Sequence, residues 1–417
     1  MKKLLNFSLA IIAVAFVACS YEDVALSTNE SPSNPYEVTP DEAVQLLQTV
    51  MGGESTRAVS VGSIQTLRKS DFVPTTRGAE DGDVVYIVDM EDGGSAIMGA
   101  DKRMEPIYAI LDETKISPEQ LTLTATRSVD GEQDIEEYVM GLVNKKIEAD
   151  VSALAFPEMP IVPRPHNVTV TVPLGAKSPM LRTKWYQLSP FNDLYPNGML
   201  AGCGPIAISQ IIYFKCLSVS FSSTTFDWNL ISECEYQGSF SDAACNEVAR
   251  FVNTIAGMVC TERYLTNGAN PGAYIVDCRN TLASLFNTTA SVQYYDYAGI
   301  AGLLDSNKPV YTRGDDLDNE EGHAWVIDGY NSYIEKIYER EYNGLNPSEY
   351  TDTLLSSTTY NLVHCNYGWA GLCDGYYTSG VFDVSVELDD DMIDSSIGDI
   401  QGAKGSTYSS LIKYILY

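Results

Sequence analysis

The sequence predicts an α+β protein whose helices and strands lie in separate runs. Helix patterns near residues 204–216 and 241–258 precede a run of strand patterns, without the strand–helix–strand alternation of a doubly wound sheet. A turn at 92–94 joins two apolar strands as in a β-hairpin. The chain has 417 residues, of which 45% are hydrophobic, so two or three domains with sizeable cores are expected.

The charge of the chain excludes one large class of partners. Its formal net charge is −30 and its pI is about 4.3. Because no basic stripe offsets this average, nothing could neutralise a row of phosphates, and no nucleic acid partner is expected. The acidity instead favours solubility outside the cell.

The N-terminus has the pattern of an export signal. Two lysines precede an apolar run of about a dozen residues, and the small residue Ala18 stands before Cys19. This arrangement is typical of a bacterial lipobox, which predicts a signal peptide over 1–18, a lipid on Cys19 and a flexible tether over 19–35. Ordinary signal peptidase cleavage nearby is the alternative. The mature protein is expected at the bacterial outer membrane or cell surface, held on the lipid membrane by its N-terminal anchor, or released to the extracellular space.

A first folded stretch is predicted over 36–150. Thr39 is a suitable N-cap and Pro40 a suitable first residue for a helix that begins there. Strand patterns follow at 83–90, 95–100 and 106–111, and a helix pattern at 134–151. Around 53–83 the chain is polar.

The rest of the chain divides into a connector and a larger stretch. A proline-rich segment over 151–182 has few secondary-structure signals and predicts an exposed connector, where proteolytic cuts concentrate. The stretch 183–417 is richer in aromatic residues. Its patterns predict helices near 204–216, 241–258 and 273–286, and strands near 309–315, 323–330, 359–369 and 409–417.

The nine cysteines do not form a metal-binding pattern. Without Cys19 eight remain, and if Cys203 is a free thiol at least one more is unpaired. No C-x-x-C pair or Cys/His cluster has zinc spacing, so neither a metal nor a cofactor is expected. The acidic segment 314–323 leaves calcium binding open as an alternative, but its glycine and distal glutamate are misplaced, and a solvated loop fits better.

The cysteine in the segment AGCGPIAISQIIYF, residues 201–214, is placed for reactivity. If a helix begins near Gly204 or Pro205, Cys203 lies at its N-terminal end, where free N–H groups and the helix dipole favour a thiolate. The glycines on both sides would let a substrate backbone approach the sulfur. A buried structural thiol is the plain alternative.

Thiol chemistry also needs a base, and the chain has three histidines. His323 opens a strand behind a glycine and an acidic loop, whereas His166 lies in the connector and His364 lies inside an apolar strand. The position at the strand end makes His323 the predicted base.

Four motifs with chemical character follow one another along the chain. They are WYQLSPFN (185–192), AGCGPIAISQIIYF (201–214), GHAWVIDGY (322–330) and HCNYGWAGLCDGYY (364–377). In this order they resemble the motifs of the streptopain family of papain-like cysteine peptidases. The upstream segment 83–111 is similar to the inhibitory propeptide of that family, and the whole similarity spans most of 36–417.

The resemblance implies an architecture. It comprises a papain-like catalytic domain over 183–417, with a helical part and an antiparallel sheet, preceded by an α+β inhibitory propeptide over 36–150. The connector at 151–182 would then contain the activation cleavage region.

The resemblance also implies roles for single residues. Cys203 is the nucleophile, His323 its base, Gln187 a donor to the oxyanion hole, and Asn366 the residue that fixes the histidine ring. Residues beside them are expected to contact substrate: Gly202, Gly322, Ala324, Tyr367 and Trp369. The family has a tryptophan where this chain has Tyr367, so the packing around the imidazole is expected to differ. Plain alternatives are a surface position for Gln187, a strand-end backbone contact for Asn366, and core packing for Trp369.

The function implied by the resemblance is that of a secreted or surface-anchored cysteine endopeptidase made as a zymogen. It would hydrolyse protein or peptide substrates through a Cys–His dyad and an acyl-enzyme, and its own propeptide would be its intramolecular inhibitor. Two alternatives stay open. One is a catalytically inactive, surface-binding lipoprotein on the same fold, and the other is a different thiol acyl-transfer enzyme, such as an amidase or transglutaminase.

Overall fold

The computed structural model describes most of the chain beyond residue 35. The described residues are 36–52, 59–74, 81–91, 93–122, 135–154, 166–216, 219, 221, 224–236, 238–259, 273–316, 321–342, 350–382 and 411–417. The predicted signal peptide, tether and lipid site at Cys19 lie outside these residues, as does part of the acidic segment considered for calcium.

Helices and strands alternate only locally within this part of the chain. The helices are α1 (Pro40–Gly52), α2 (Pro118–Thr122), α3 (Ile135–Ala153), α4 (Cys203–Phe214), α5 (Trp228–Ser232), α6 (Asp242–Val259), α7 (Ile275–Leu285) and α8 (Tyr297–Asp305). The strands are β1 (Val61–Arg68), β2 (Asp83–Met90), β3 (Ser95–Gly99), β4 (Ile107–Leu111), β5 (His166–Lys177), β6 (Ser291–Tyr294), β7 (Val310–Asp316), β8 (Glu321–Tyr342), β9 (Tyr350–Asn366), β10 (Gly375–Thr378) and β11 (Leu411–Leu416).

The predicted start of α1 is confirmed in its details. The backbone N–H of Thr39 donates to the Glu42 carboxylate at 2.8 Å, and the Glu42 N–H donates to the Thr39 hydroxyl oxygen at 3.3 Å. This reciprocal pair is a capping box, which satisfies N–H groups that the first turn leaves without helical partners. Pro40 follows as the first helical residue.

One antiparallel sheet runs through the described chain. Its order is β1-β2-β3-β4-β10-β9-β8-β7-β11-β6, and β5 pairs with β8 outside this path. Every pairing between the described strands is antiparallel, so the predicted α+β class, with helices and an antiparallel sheet, is confirmed. Strands β4 and β10 join the N-terminal stretch to the C-terminal one, with Tyr376 opposite Ile110.

Four strands lie where the sequence indicated none, and two of them, β6 and β10, are only four residues long. Strand β1 falls in the segment expected to be polar, and only Leu67 within it is buried, so its apolar alternation is weak. Strand β5 falls in the expected connector and pairs with β8 along its whole length. Its valines alternate with threonines, but Pro173 stands at a register shift near its end, and prolines along this segment hid the strand pattern.

The N-terminal stretch shares its core with the rest of the sheet. Residues 36–417 cluster as one compact unit. Val143 and Ile147 of α3 belong to the same buried cluster as Trp325 of β8 and Phe382. A continuous apolar core therefore crosses the domain boundary predicted at residue 150.

An ion cluster around the buried His364 also spans that boundary, with Asp112 at its exposed end. One ring nitrogen of His364, on β9, lies 2.6 Å from Asp328 of β8, and the other lies 3.2 Å from Asp112, which follows β4. The two carboxylates outweigh the cost of burial and raise the pKa of His364 to about 10. The imidazolium therefore links the N-terminal stretch to the sheet.

No disulfide joins the described cysteines. They are Cys203, Cys216, Cys234, Cys245, Cys278, Cys365 and Cys373, and four of them are buried, where a reduced thiol packs as a small apolar group. In the same part of the chain, none of the helices has the length and apolar character needed to cross a membrane.

The ion cluster predicts an alkaline dependence of stability. Because the folded-state pKa of His364 is raised to about 10, its contribution is complete below about pH 6.5 and is lost as the pH rises to about 10. At pH 6.5, replacing His364 by Gln should lower the free energy of unfolding by about 3–5 kcal/mol, the usual cost of leaving buried charges without their partner. Urea unfolding of wild type and H364Q between pH 6 and 10 measures the difference, which should shrink with pH. A difference that stays constant over that window would contradict the assignment.

Candidate active site

Helix α4 begins at the predicted nucleophile. Cys203 is its first residue and is partly buried, and Gly202 before it has φ of +89°, a conformation that side chains with a Cβ rarely adopt. A Cβ on Gly204 would lie 2.4 Å from the Ala273 Cβ. The two flanking glycines are thus needed for the backbone conformation and the packing of the helix start. This structural need is independent of any contact with substrate.

The predicted base lies beside the sulfur. His323, on β8 opposite Gly314 of β7, is 4% exposed, and its side chain hydrogen-bonds the Cys203 thiol. Its Nε2 lies 3.0 Å from the carbonyl oxygen of Tyr367, which can only accept, so Nε2 carries a proton there. Nδ1 is then the ring nitrogen that faces the sulfur.

The thiol is acidic because of this neighbourhood. Burial raises the pKa of Cys203, but the hydrogen bond and charge of His323 oppose it, helped by the backbone N–H of Ala324 and the charge of Arg313. The net result is a pKa of about 7, below the ordinary value. A large share of thiolate is therefore present near neutral pH, as nucleophilic cysteine chemistry requires.

The other two histidines are placed elsewhere. His364 is held between two carboxylates in the ion cluster. His166 pairs with Arg340, 17 residues along β8 from His323, which is roughly 55 Å on an extended strand. Of the three histidines, the structure brings His323 to the cysteine.

Gln187 approaches the same helix start. Its carbonyl oxygen accepts a hydrogen bond from Ala201 N–H at 2.9 Å, two residues before the nucleophile. The residue is 6% exposed. The surface position considered as its alternative does not fit this burial.

The hydrogen bonds of Asn366 run to backbone groups beside the His323 ring. Its Nδ2 donates to the Thr183 carbonyl at 2.8 Å, and its Oδ1 accepts from the Gly368 N–H at 3.1 Å. That N–H belongs to the same peptide group as the Tyr367 carbonyl that holds His323. Asn366 is therefore linked to the ring through the peptide group between Tyr367 and Gly368. The loop after β9 makes this link possible because it turns its backbone toward the imidazole.

The other residues that were expected to contact substrate lie in different surroundings. The Tyr367 ring is 1% exposed and packs beside Trp325, at 5.6 Å between centroids, so its place is in the core. Trp369 is half-buried and packs against the buried apolar cluster that contains Tyr367 and Trp325. Gly322 pairs with Asp315 at the end of β8, beside the histidine.

A residue of the N-terminal stretch lies against the histidine. The ring of Tyr138, on α3, is 5.9 Å from that of His323 and 6.5 Å from that of Trp325, between centroids. A Cβ on Gly314 would lie 2.4 Å from the Tyr138 hydroxyl oxygen, so the glycine makes room for this side chain. Sequence patterns gave no signal for it, because Tyr138 resembles any apolar residue of an amphipathic helix.

Similarity to known proteins is found among solved structures and in one family model. A search of curated proteins finds no match. Among solved structures, the chain is similar to a fragment of Prevotella intermedia prointerpain A with a cysteine-to-alanine mutation, at 18% identity and a TM-score of 0.48, over 85% of this chain and 98% of that one.

The sequence model of the peptidase C10 family, the streptopain family, matches residues 185–377. That segment contains Cys203, His323 and all four motifs. The resemblance to the streptopain family predicted from those motifs is therefore confirmed over residues 185–377, which match the peptidase C10 family model.

Proposed function

We propose that the chain is a cysteine endopeptidase made as an inactive precursor. The observation that carries the proposal is the pairing of Cys203 with His323 at the start of α4, with a thiol pKa of about 7. The match of residues 185–377 to a peptidase family supports the same class of reaction.

The proposed reaction uses the two side chains as one unit. The Cys203 thiolate attacks the carbonyl carbon of a peptide bond, and the His323 imidazolium gives its Nδ1 proton to the leaving amine. Water then attacks the acyl-enzyme, with the imidazole taking the water's proton, and the thiolate is restored. The bond from Nε2 to the Tyr367 carbonyl keeps the ring oriented through both steps.

Two N–H donors are proposed for the oxyanion. One is the backbone N–H of Cys203, which as the first residue of α4 has no partner within the helix. The other is the Gln187 side-chain amide, positioned through its backbone bond to Ala201. Each such donor lowers the barrier by about 3 kcal/mol in comparable sites.

The N-terminal stretch is proposed as the inhibitor of the precursor. Three contacts support this role: Tyr138 against His323, the pairing of β4 with β10, and the ion pair of Asp112 with His364. The first lies at the catalytic histidine, and the other two fasten the same stretch to the sheet. A substrate would have to compete with Tyr138 for the space beside the ring.

Export and anchoring are proposed from the sequence alone. The basic, apolar and small-residue order before Cys19 supports lipidation there, after removal of 1–18. The protein would then act on polypeptides outside the cytoplasm while attached to a membrane surface.

Loss of either dyad residue should abolish hydrolysis. We expect C203S and H323A each to lose nearly all activity on casein, because the two residues act as a unit, with unchanged circular dichroism. Cys245, a partly buried cysteine on α6, offers a matched control, and C245S should keep full activity. More than about a tenth of the activity remaining in H323A would assign the base elsewhere. Ammonia release from glutamine without casein cleavage would favour an amidase or transglutaminase.

Removal of the oxyanion donor should affect turnover rather than binding. Q187A should lower kcat by roughly 10²-fold with little change in KM, since its hydrogen bond strengthens as charge develops on the oxygen. Q293A, on β6 at the far end of the sheet, is the control with unchanged kinetics. An effect confined to KM would mean that Gln187 only holds substrate.

The precursor should process itself. The sequence predicts a cut between about residues 125 and 180, and we expect it between α3, which carries Tyr138 and should leave, and β5, which is paired along its length with β8 and should stay with the product. Under reducing conditions, wild type should yield a fragment of roughly 250–265 residues, whose start is read by N-terminal sequencing. The C203S precursor should stay full length until active enzyme is added. Conversion of purified C203S alone at the wild-type rate would refute self-processing.

A further inference from the structure

The loop after β9 carries the carbonyl that orients the proposed base. Tyr367 accepts the His323 Nε2–H at 3.0 Å, so the position of its backbone decides where the imidazole points. Two side chains hold this backbone. The Asn366 side chain accepts a hydrogen bond from the Gly368 N–H at 3.1 Å, and the Asp374 carboxylate accepts one from the Tyr367 N–H at 2.9 Å.

Asp374 is itself held from several sides. It is 1% exposed, and its second carboxylate oxygen lies 3.4 Å from Lys184 Nζ. Its backbone N–H donates to the Gly371 carbonyl at 3.2 Å, and its backbone oxygen accepts from the Asp112 N–H at 3.0 Å. The carboxylate therefore has little freedom to follow Tyr367 and acts as a fixed point.

Burial of this acid is costly. Burial raises the pKa of Asp374 to about 6, although the Lys184 ammonium, the Tyr367 N–H and the His364 imidazolium all favour the ionised form; Asp112 opposes them. A neutral side chain of similar size would avoid this cost. The side chain is better explained by the contacts of its two oxygens, one with the Tyr367 N–H and one with Lys184, than by a gain in stability.

We propose that Asp374 is a positioning residue for the Cys203–His323 pair. By fixing Tyr367 N–H, it keeps the Tyr367 carbonyl in line with His323 Nε2–H, and so keeps Nδ1 at the sulfur. Its effect on hydrolysis depends on the proposed function above. Its effect on thiol ionisation depends only on the geometry of the pair.

Three substitutions separate the hydrogen bond from the charge. Asp374→Ala removes the acceptor, Asp374→Asn keeps an acceptor without charge, and Asp374→Glu keeps the charge but moves it by one methylene. The readout is the pH dependence of Cys203 alkylation by iodoacetamide in the full chain, with C203S as the blank for the other cysteines. Peptide hydrolysis after processing gives kcat and KM.

We expect wild type to reach half-maximal alkylation near pH 7. D374A and D374E should move that midpoint upward by about one pH unit, with kcat falling about tenfold and KM little changed, because the ring is no longer held at the sulfur. D374N should remain close to wild type. If D374A does not fold, as judged by circular dichroism, D374E carries the test.

Asp328 provides the matched control. It is equally buried and accepts the Leu181 N–H at 2.8 Å, but its other carboxylate oxygen is bonded to His364 rather than to the backbone of the Tyr367 loop. D328N should lose stability and keep the wild-type alkylation midpoint. A folded D374A or D374E with the wild-type midpoint would overturn the inference. A wild-type protein with a midpoint near pH 7 and no hydrolysis would instead overturn the proposed function alone.

Discussion

The hydrogen bond from His323 Nε2 to the Tyr367 carbonyl is the contact on which the site depends. A carbonyl only accepts, so this bond fixes the tautomer as well as the direction of the ring. The position of a backbone acceptor is fixed only if the loop that carries it is held in place. This explains why a short loop, Asn366 to Asp374, is closed by two side-chain bonds to its own N–H groups and has its tyrosine ring in the core.

The sequence was informative wherever a residue type carries the chemistry. A cysteine at a helix start and a histidine at a strand end are visible as letters, and both were predicted at positions that the structure brings together. A backbone carbonyl has no such signature. The role of fixing the His323 ring was therefore assigned to Asn366, one residue from the carbonyl that holds the ring.

Buried charges were equally hard to predict, because acidic and basic side chains are usually exposed. No sequence pattern singled out Asp374, and His364 stood inside an apolar strand with no visible partner. Among strands, those with alternating or continuous apolar residues were found, such as β2 and β3. Strand β5 was missed because its stability comes from pairing with β8, which local patterns do not reveal.

The buried charges meet where the N-terminal stretch joins the sheet. His364 and Lys184 are the cations, and Asp328, Asp374 and Asp112 the anions, with Asp112 contributed by the N-terminal stretch. With all five ionised the cluster has one excess negative charge, and without Asp112 it is neutral. The side of the sheet that would remain after processing is thus the electrostatically balanced one.

The pairing of β4 with β10 makes cleavage and release two separate events. Breaking one peptide bond leaves the sheet hydrogen bonds and the shared apolar core in place, so the severed stretch would stay bound as a non-covalent partner. Its departure would follow a dissociation equilibrium, sensitive to dilution, and would turn β10 into an open sheet edge. Such an edge can accept another extended strand. The onset of activity would then lag behind chain cutting, and further degradation of the severed stretch would make it irreversible.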